Sequence, residues 1–272
     1  MARTITPQQL IAVLGTEHCP IVVDVRPDGA YRSSMTRIAG AVWRDHRKSE
    51  EWYARLPAGK QLVVYCTHGH NVSALAAERL AEQGANASLL AGGIDAFSKA
   101  GGPLVRTDVA GADVMQVKGS VWVTRERPKV DRIACPWLIR RFIDPFATFL
   151  FVAPEWVCDV AEELGATPFD VEGVHYSHRG ETCSFDTFIS EFGLEDPPLL
   201  HLARIVRGAD TSRLDLEPQA AGLLAVSLGL SATEPDDHRQ LEKGLALYDA
   251  LYGWCRHAVD ERHNWPAASL PA

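Results

Sequence analysis

The apolar positions change their period halfway along the chain. In the first hundred residues they come as short continuous runs: IVVDVR (21–26), QLVVYC (61–66) and ASLLAGG (87–93). Such runs, rich in β-branched residues and bounded by turn residues, predict buried strands. Thr6 with Pro7 opens a short helix ending near Gly15. Val72 to Gln83 and Ile94 to Ala100 predict two more, closed by Gly84 and by the GGP at 101–103. Strands alternating with helices predict an α/β fold, a mainly parallel sheet with helices on both faces.

The second half reads differently. Strands are expected over Ser120–Glu126 and Thr148–Ala153, with a helix from about Asp131 to Ile143 and another from Pro154 through Leu164. The segment VEGVHYSHRGETCS (171–184) reads as strand and loop. Helices follow over 184–192, 196–207, 216–228 and 234 to about 260. In the last, Leu241, Leu245, Tyr248, Tyr252, Cys255 and Val259 share one face. This half is therefore an α-rich α+β unit with a small sheet. RTDVAGADV (106–114) has no periodicity and predicts a linker. The expected organisation is a domain over 1–106, a linker over 107–119 and a second domain over 120–266.

Charge follows the same division. The first 106 residues hold twelve Lys+Arg against nine Asp+Glu, and the rest fifteen against twenty-six, within a net charge of −8. An acidic chain without a basic run predicts no nucleic-acid partner. No apolar run reaches the roughly 18 residues of a membrane span. The N-terminal MARTITPQQLIAVLG has no long apolar core, so no signal peptide is expected. Six scattered cysteines, none in CxxC spacing, predict reduced thiols in a cytoplasmic protein. Cys19 and Cys158 lie in or beside apolar runs and read as packing residues.

The first chemical candidate is Cys66, in YCTHGHNVSALAAERL (65–80). A strand ending in cysteine, a short loop and a helix N-terminus aim amides and the helix dipole at whatever the sulfur carries. This favours thiolate over thiol. Thr67, His68, Gly69, His70, Asn71, Val72 and Ser73 form the cradle. Gly69 lets the loop curl, Ser73 can cap the helix, and His68 and His70 could add positive charge. The plainer reading is an inert buried cysteine.

IVVDVR, IAGAV (38–42), LLAGGIDAF (89–97) and the Cys66 loop, in this order, resemble the rhodanese (sulfurtransferase) superfamily over roughly Thr6 to Gly102. The resemblance implies a Cys66 persulfide passed between a small-molecule or thiol donor and an acceptor. The commoner family loop has an arginine or serine five residues after the cysteine and a serine six after; here Asn71 and Val72 stand there, and Ser73 is seventh. The loop is thus one residue longer, similar to the oxyanion loops of related phosphatases and arsenate reductases. Those use an arginine where this chain has Val72, so phosphatase activity is not expected.

Three strings in the second half carry further candidates. KVDRIACPWLIRRFIDP (129–145) places Arg132 and Arg140 two turns apart, beside Arg141, with Pro136 kinking or opening the helix. Converging arginines bind oxyanions; the plainer reading is a solvated basic face. GVHYSHRGETCSFDTF (173–188) holds His175, His178, Cys183 and Asp186, a spacing that could ligate a divalent metal. Alternatively His178 and Arg179 bind an anion beside a redox-active Cys183, or Ser184 caps a helix with Asp186 in its first turn. HLARIVRGAD (201–210) sets Arg204 and Arg207 one turn apart near Asp210. His257, His263 and Trp265 stay unassigned.

In this order the three strings resemble the C-terminal domain of the chromate-resistance protein B (ChrB) family, over about Val121 to His263. That family is implicated in bacterial chromate resistance, and some members regulate resistance operons through a different N-terminal region. The matching residues implied as an oxyanion site are Arg132, Arg140, His178, Arg179, Cys183 and Arg207.

Two functions remain open. One is a sulfurtransferase using Cys66 with thiosulfate or a persulfide, coupled to a domain that binds chromate or a similar oxyanion; it requires no cofactor, with a divalent metal in the second domain left open. The other is a non-catalytic oxyanion or metal sensor with a regulatory rhodanese-like module. The long helix over 235–259 would allow a homodimer.

Overall fold

The structure is a computed structural model and describes residues 3–109 and 119–262. Most of the expected linker, and His263 and Trp265, lie outside the described residues.

The first half contains β1 (Arg3–Ile5), α1 (Pro7–Val13), β2 (Ile21–Asp24), α2 (Asp28–Arg32), β3 (Thr36–Ile38), β4 (Val42–Trp43), α3 (Ser49–Tyr53), β5 (Leu62–Tyr65), α4 (Asn71–Glu82), β6 (Ala87–Leu90), α5 (Gly93–Lys99) and β7 (Leu104–Arg106). Five strands form a parallel sheet in the order β1-β6-β5-β2-β4. The central β2 and β5 are wholly buried, as their unbroken apolar runs require. α1 opens on a Thr6 cap reciprocated by Gln9. The antiparallel pair of β3 with β7 was not apparent in the sequence.

The second half contains β8 (Val121–Arg125), α6 (Val130–Leu138), β9 (Thr148–Val152), α7 (Val157–Leu164), β10 (Thr167–Pro168), α8 (Ser184–Phe192), α9 (Pro197–Asp210), α10 (Ala220–Thr233) and α11 (Asp237–His257). Its sheet is small and parallel, in the order β10-β8-β9. α6 runs through Pro136 and leads into a wider π turn over Ile139–Ile143, closed by Asp144 N–H donating to Ile139 O at 2.7 Å. Cys158 is exposed and Cys19 half-buried, so Cys158 is not the packing residue expected.

The two halves share one core. A single apolar cluster joins Leu10, Leu14 and Ile38 to Phe142, Tyr252 and Trp137. Phe142 meets Tyr252 edge to face, ring centroids 5.5 Å apart. Arg37, fully buried, donates to Ile143 O at 2.8 Å, and Arg256 on α11 donates to Leu14 O and Ile11 O. The apolar face of α11 is thus covered within the chain: Leu241, Leu245, Tyr248, Tyr252 and Cys255 are buried there. Val259 lies beyond the helix end and is 44% exposed, unlike its expected neighbours.

Candidate functional sites

Cys66 follows directly on β5 and is 8% exposed. Residues 67–70 curl back, and α4 begins at Asn71. Gly69, at φ +71°, lies against the backbone of Gly92, Gly93 and Leu90, where any side chain would clash. From the other side, Ile94 N–H donates to Cys66 O and Asp95 N–H to Thr67 O. The Gly-Gly turn before α5 therefore clamps the loop, with no room for a Cβ at Gly93, which would lie 2.2 Å from Cys66 O.

The expected roles within the loop change. Ser73 does not cap α4; His70 holds that position without a side-chain bond. Instead the Ser73 hydroxyl donates to the Cys66 sulfur at 3.0 Å. His68 is tied to Asp95 at 2.9 Å and is largely exposed. Burial pushes the Cys66 thiol up, but the Ser73 hydroxyl and the amides of Ser73, His70 and Gly69 outweigh it and hold the thiol below its usual range. The charge-stabilising groups are thus a hydroxyl and backbone amides, not the histidines. Asn71 adopts φ 27°, an unusual value for a non-glycine residue, at the first position of α4.

Beside the loop, Asp24 is fully buried and holds buried Arg26 through Nε and Nη2, while Tyr65 donates its hydroxyl to Asp24 at 2.9 Å. Arg26 and Thr67 line an adjoining cavity with Ser33, Ser34, Asp95 and Ser98. The DVR sequence at the end of β2 thus braces the Cys66 strand.

Of the six residues implied for the second-half oxyanion site, Arg132 and His178 both meet Asp170 and Arg207 and Cys183 both meet Asp186, while Arg140 and Arg179 lie on other acids. Arg140 pairs with Glu242 at 2.7 Å, Arg179 with Glu191 at 2.5 Å, and Arg207 with Asp186 at 3.1 Å. Arg132 approaches Asp170 at 3.2 Å. Arg141 binds Asp249 through two hydrogen bonds. Each arginine meets one of the half's many acids, so no shared cationic pocket forms.

The expected metal set is also divided. His175 pairs with Glu191 at 3.0 Å, and Asp186 faces Arg207 and accepts from Cys183 N–H. The N-cap of α8 is Cys183, one residue before the expected Ser184. Ser184 donates instead to Asp170 at 2.8 Å. His178 sits with Asp131 and Asp170, and Cys183 with Asp131 and Asp210; of these acids the sequence reading named only Asp210, beside Arg204 and Arg207. The available signal was an aspartate beside an apolar run in α6: Asp131 is 3% exposed there.

His178 is held protonated well above its usual range, up to about 10, by hydrogen bonds to Asp131 and Asp170. Burial and the neighbouring Asp131 push Asp210 up to about 8. Burial raises Asp170 too, but His178, Arg125 and Ser184 outweigh it and leave it low. Burial lifts the Cys183 thiol far above its ordinary value. Cys183 is consequently a thiol at neutral pH unless a cation sits against it.

This geometry defines a rhodanese-type cysteine loop on a parallel sheet, joined to a helical unit with a buried acid–histidine–cysteine cluster. Residues 6–100 match the rhodanese-like domain family. Residues 122–255 match the family described as ChrB, C-terminal domain. The chain joins a rhodanese-like domain to a ChrB C-terminal domain. Protein ChrB of Cupriavidus metallidurans is 38% identical over 142 residues, covering 52% of this chain and 42% of that protein, so the chain spans less than half of that relative. A rhodanese-related protein from Thermoplasma volcanium is 29% identical over 38% of this chain and 97% of its own, with a TM-score of 0.34. A rhodanese-like domain protein from Staphylococcus aureus is 25% identical over 35% and 90%, with a TM-score of 0.31. Among the described residues no helix is long and apolar enough to cross a membrane.

Proposed function

We propose that this chain is a sulfurtransferase that carries sulfane sulfur on Cys66 and serves in chromate resistance. One observation supports this above the rest: the Cys66 sulfur sits against the Ser73 hydroxyl and the amides at the start of α4, which hold its thiol low. The Cys66 thiolate attacks the sulfane sulfur of thiosulfate, an S–S bond forms, and sulfite leaves with the electron pair of the broken bond. The loop amides and Ser73 stabilise the terminal persulfide anion. An acceptor thiolate or cyanide then attacks the outer sulfur and releases Cys66 as thiolate.

The link to chromate rests on the ChrB C-terminal domain. Because its arginines are paired with acids, the six-residue oxyanion site is not part of the proposal. The test is intact-mass analysis with peptide mapping after thiosulfate treatment. The expected result is one added sulfur atom on Cys66, abolished in Cys66→Ser. Undiminished sulfur transfer by Cys66→Ser would sink the proposal.

A further inference from the structure

The second half gathers a set of donor atoms that sulfur transfer does not use. Asp131 comes from α6, Asp170 from the loop after β10, His178 from the loop before α8, Cys183 from its N-cap and Asp210 from the end of α9. His178 Nε2 lies 3.2 Å from Asp131, 3.2 Å from Asp210 and 3.4 Å from Asp170. One ring nitrogen carries at most one hydrogen and aims it one way, so it satisfies one of these three carboxylates well. The donor atoms of Asp131, Asp170 and His178 all lie within 4.8 Å of one another, and so do those of Asp131, Cys183 and Asp210. Asp131 belongs to both sets.

A second observation points the same way. Cys135 follows Asp131 by one helical turn, on the same face of α6, and is 0% exposed. Its thiol makes no hydrogen bond among the described residues. A polar group sealed from water without a partner is costly, and this one lies a single helical turn from Asp131, which belongs to both donor sets. Arg125 and Arg132 also pair with Asp170.

We propose that Asp131, Asp170, His178, Asp210 and Cys183 bind a divalent first-row transition-metal cation. The ion takes the place of the protons held by His178 Nε2, by the Cys183 thiol and by the Asp210 carboxyl, all released to solvent. A donor set of carboxylates, one imidazole and one thiolate suits borderline ions such as Zn²⁺ or Co²⁺ better than Mg²⁺ or Ca²⁺. His175 and Asp186 take no part, being held by Glu191 and Arg207.

The test uses the full chain, stripped with chelator, in a Cys66→Ser background so that the loop thiol contributes nothing. Calorimetric titration with Zn²⁺ is expected to show one ion per chain. Co²⁺ is expected to give visible d–d bands and a near-ultraviolet thiolate charge-transfer band. Cys183→Ser should remove that band, and Asp131→Asn should weaken Zn²⁺ binding at least tenfold. His175→Ala should leave binding unchanged. Since Asp131 is buried, His178→Gln at a half-exposed position provides a second variant, with its fold checked by circular dichroism. Failure of Zn²⁺ and Co²⁺ to bind, or undiminished binding in both Asp131→Asn and His178→Gln, would overturn the assignment, as would a Co²⁺ complex lacking the thiolate band.

Discussion

Ser73 sets the chemistry of Cys66. The sulfur is nearly buried, and burial alone favours the neutral thiol. The Ser73 hydroxyl at 3.0 Å and three amides reverse that preference without any cation in the loop. Removing the hydroxyl as Ser73→Ala should raise the Cys66 pKa and shift the pH profile of iodoacetamide alkylation upward. A hydrogen bond to a charged group is worth about 1.5–3 kcal/mol, so alkylation at neutral pH should slow by roughly tenfold or more. The sign follows from the thiolate being the nucleophile: a higher pKa leaves less of it at fixed pH. An unchanged profile would place the stabilisation on the amides alone.

At the scale of elements, the end of β2 holds the end of β5. Asp24 joins Arg26 and Tyr65 in a network closed to solvent, and Arg26 also donates to Thr36 O. Asp24→Ala would leave a guanidinium buried without its carboxylate. Breaking such a pair by removing one partner costs about 3–5 kcal/mol. Urea denaturation should show the midpoint falling with little change in slope. The DVR string was visible in the sequence as part of a family resemblance; its bracing of the Cys66 strand was not, because Tyr65 and Asp24 meet only when β2 and β5 pair in register. The π turn after α6 was equally hidden. One extra residue in a turn leaves the apolar pattern nearly intact.

For the whole molecule, the decisive feature is the shared core. The π turn and α11 reach into the first half, and Phe142 packs against Tyr252 where the halves meet. Phe142→Ala should cost about 3–5 kcal/mol, the usual range for a buried phenylalanine. Because the core is continuous, calorimetry should show one transition moving down as a unit. Two separating transitions, only one of them displaced, would mean that the halves unfold independently.

The sequence by itself determined the strand–helix alternation, the cysteine loop and the helix-rich second half. These are local: period, turn residues and β-branched runs act within a few residues of one another. It also placed His178 and Cys183 five residues apart in one short segment. Only the tertiary structure decided their partners. Asp131 and Asp210 look in the sequence like an acid in a helix's first turn and an acid near a helix end, both common. α6, α8 and α9 bring them from distant parts of the chain to one imidazole nitrogen. The same packing pairs Arg132, Arg140, Arg179 and Arg207, which the family resemblance had implied as oxyanion ligands, with carboxylates. Side-chain charge is written in the sequence, but pairing falls with distance in space, and distance is set by the fold.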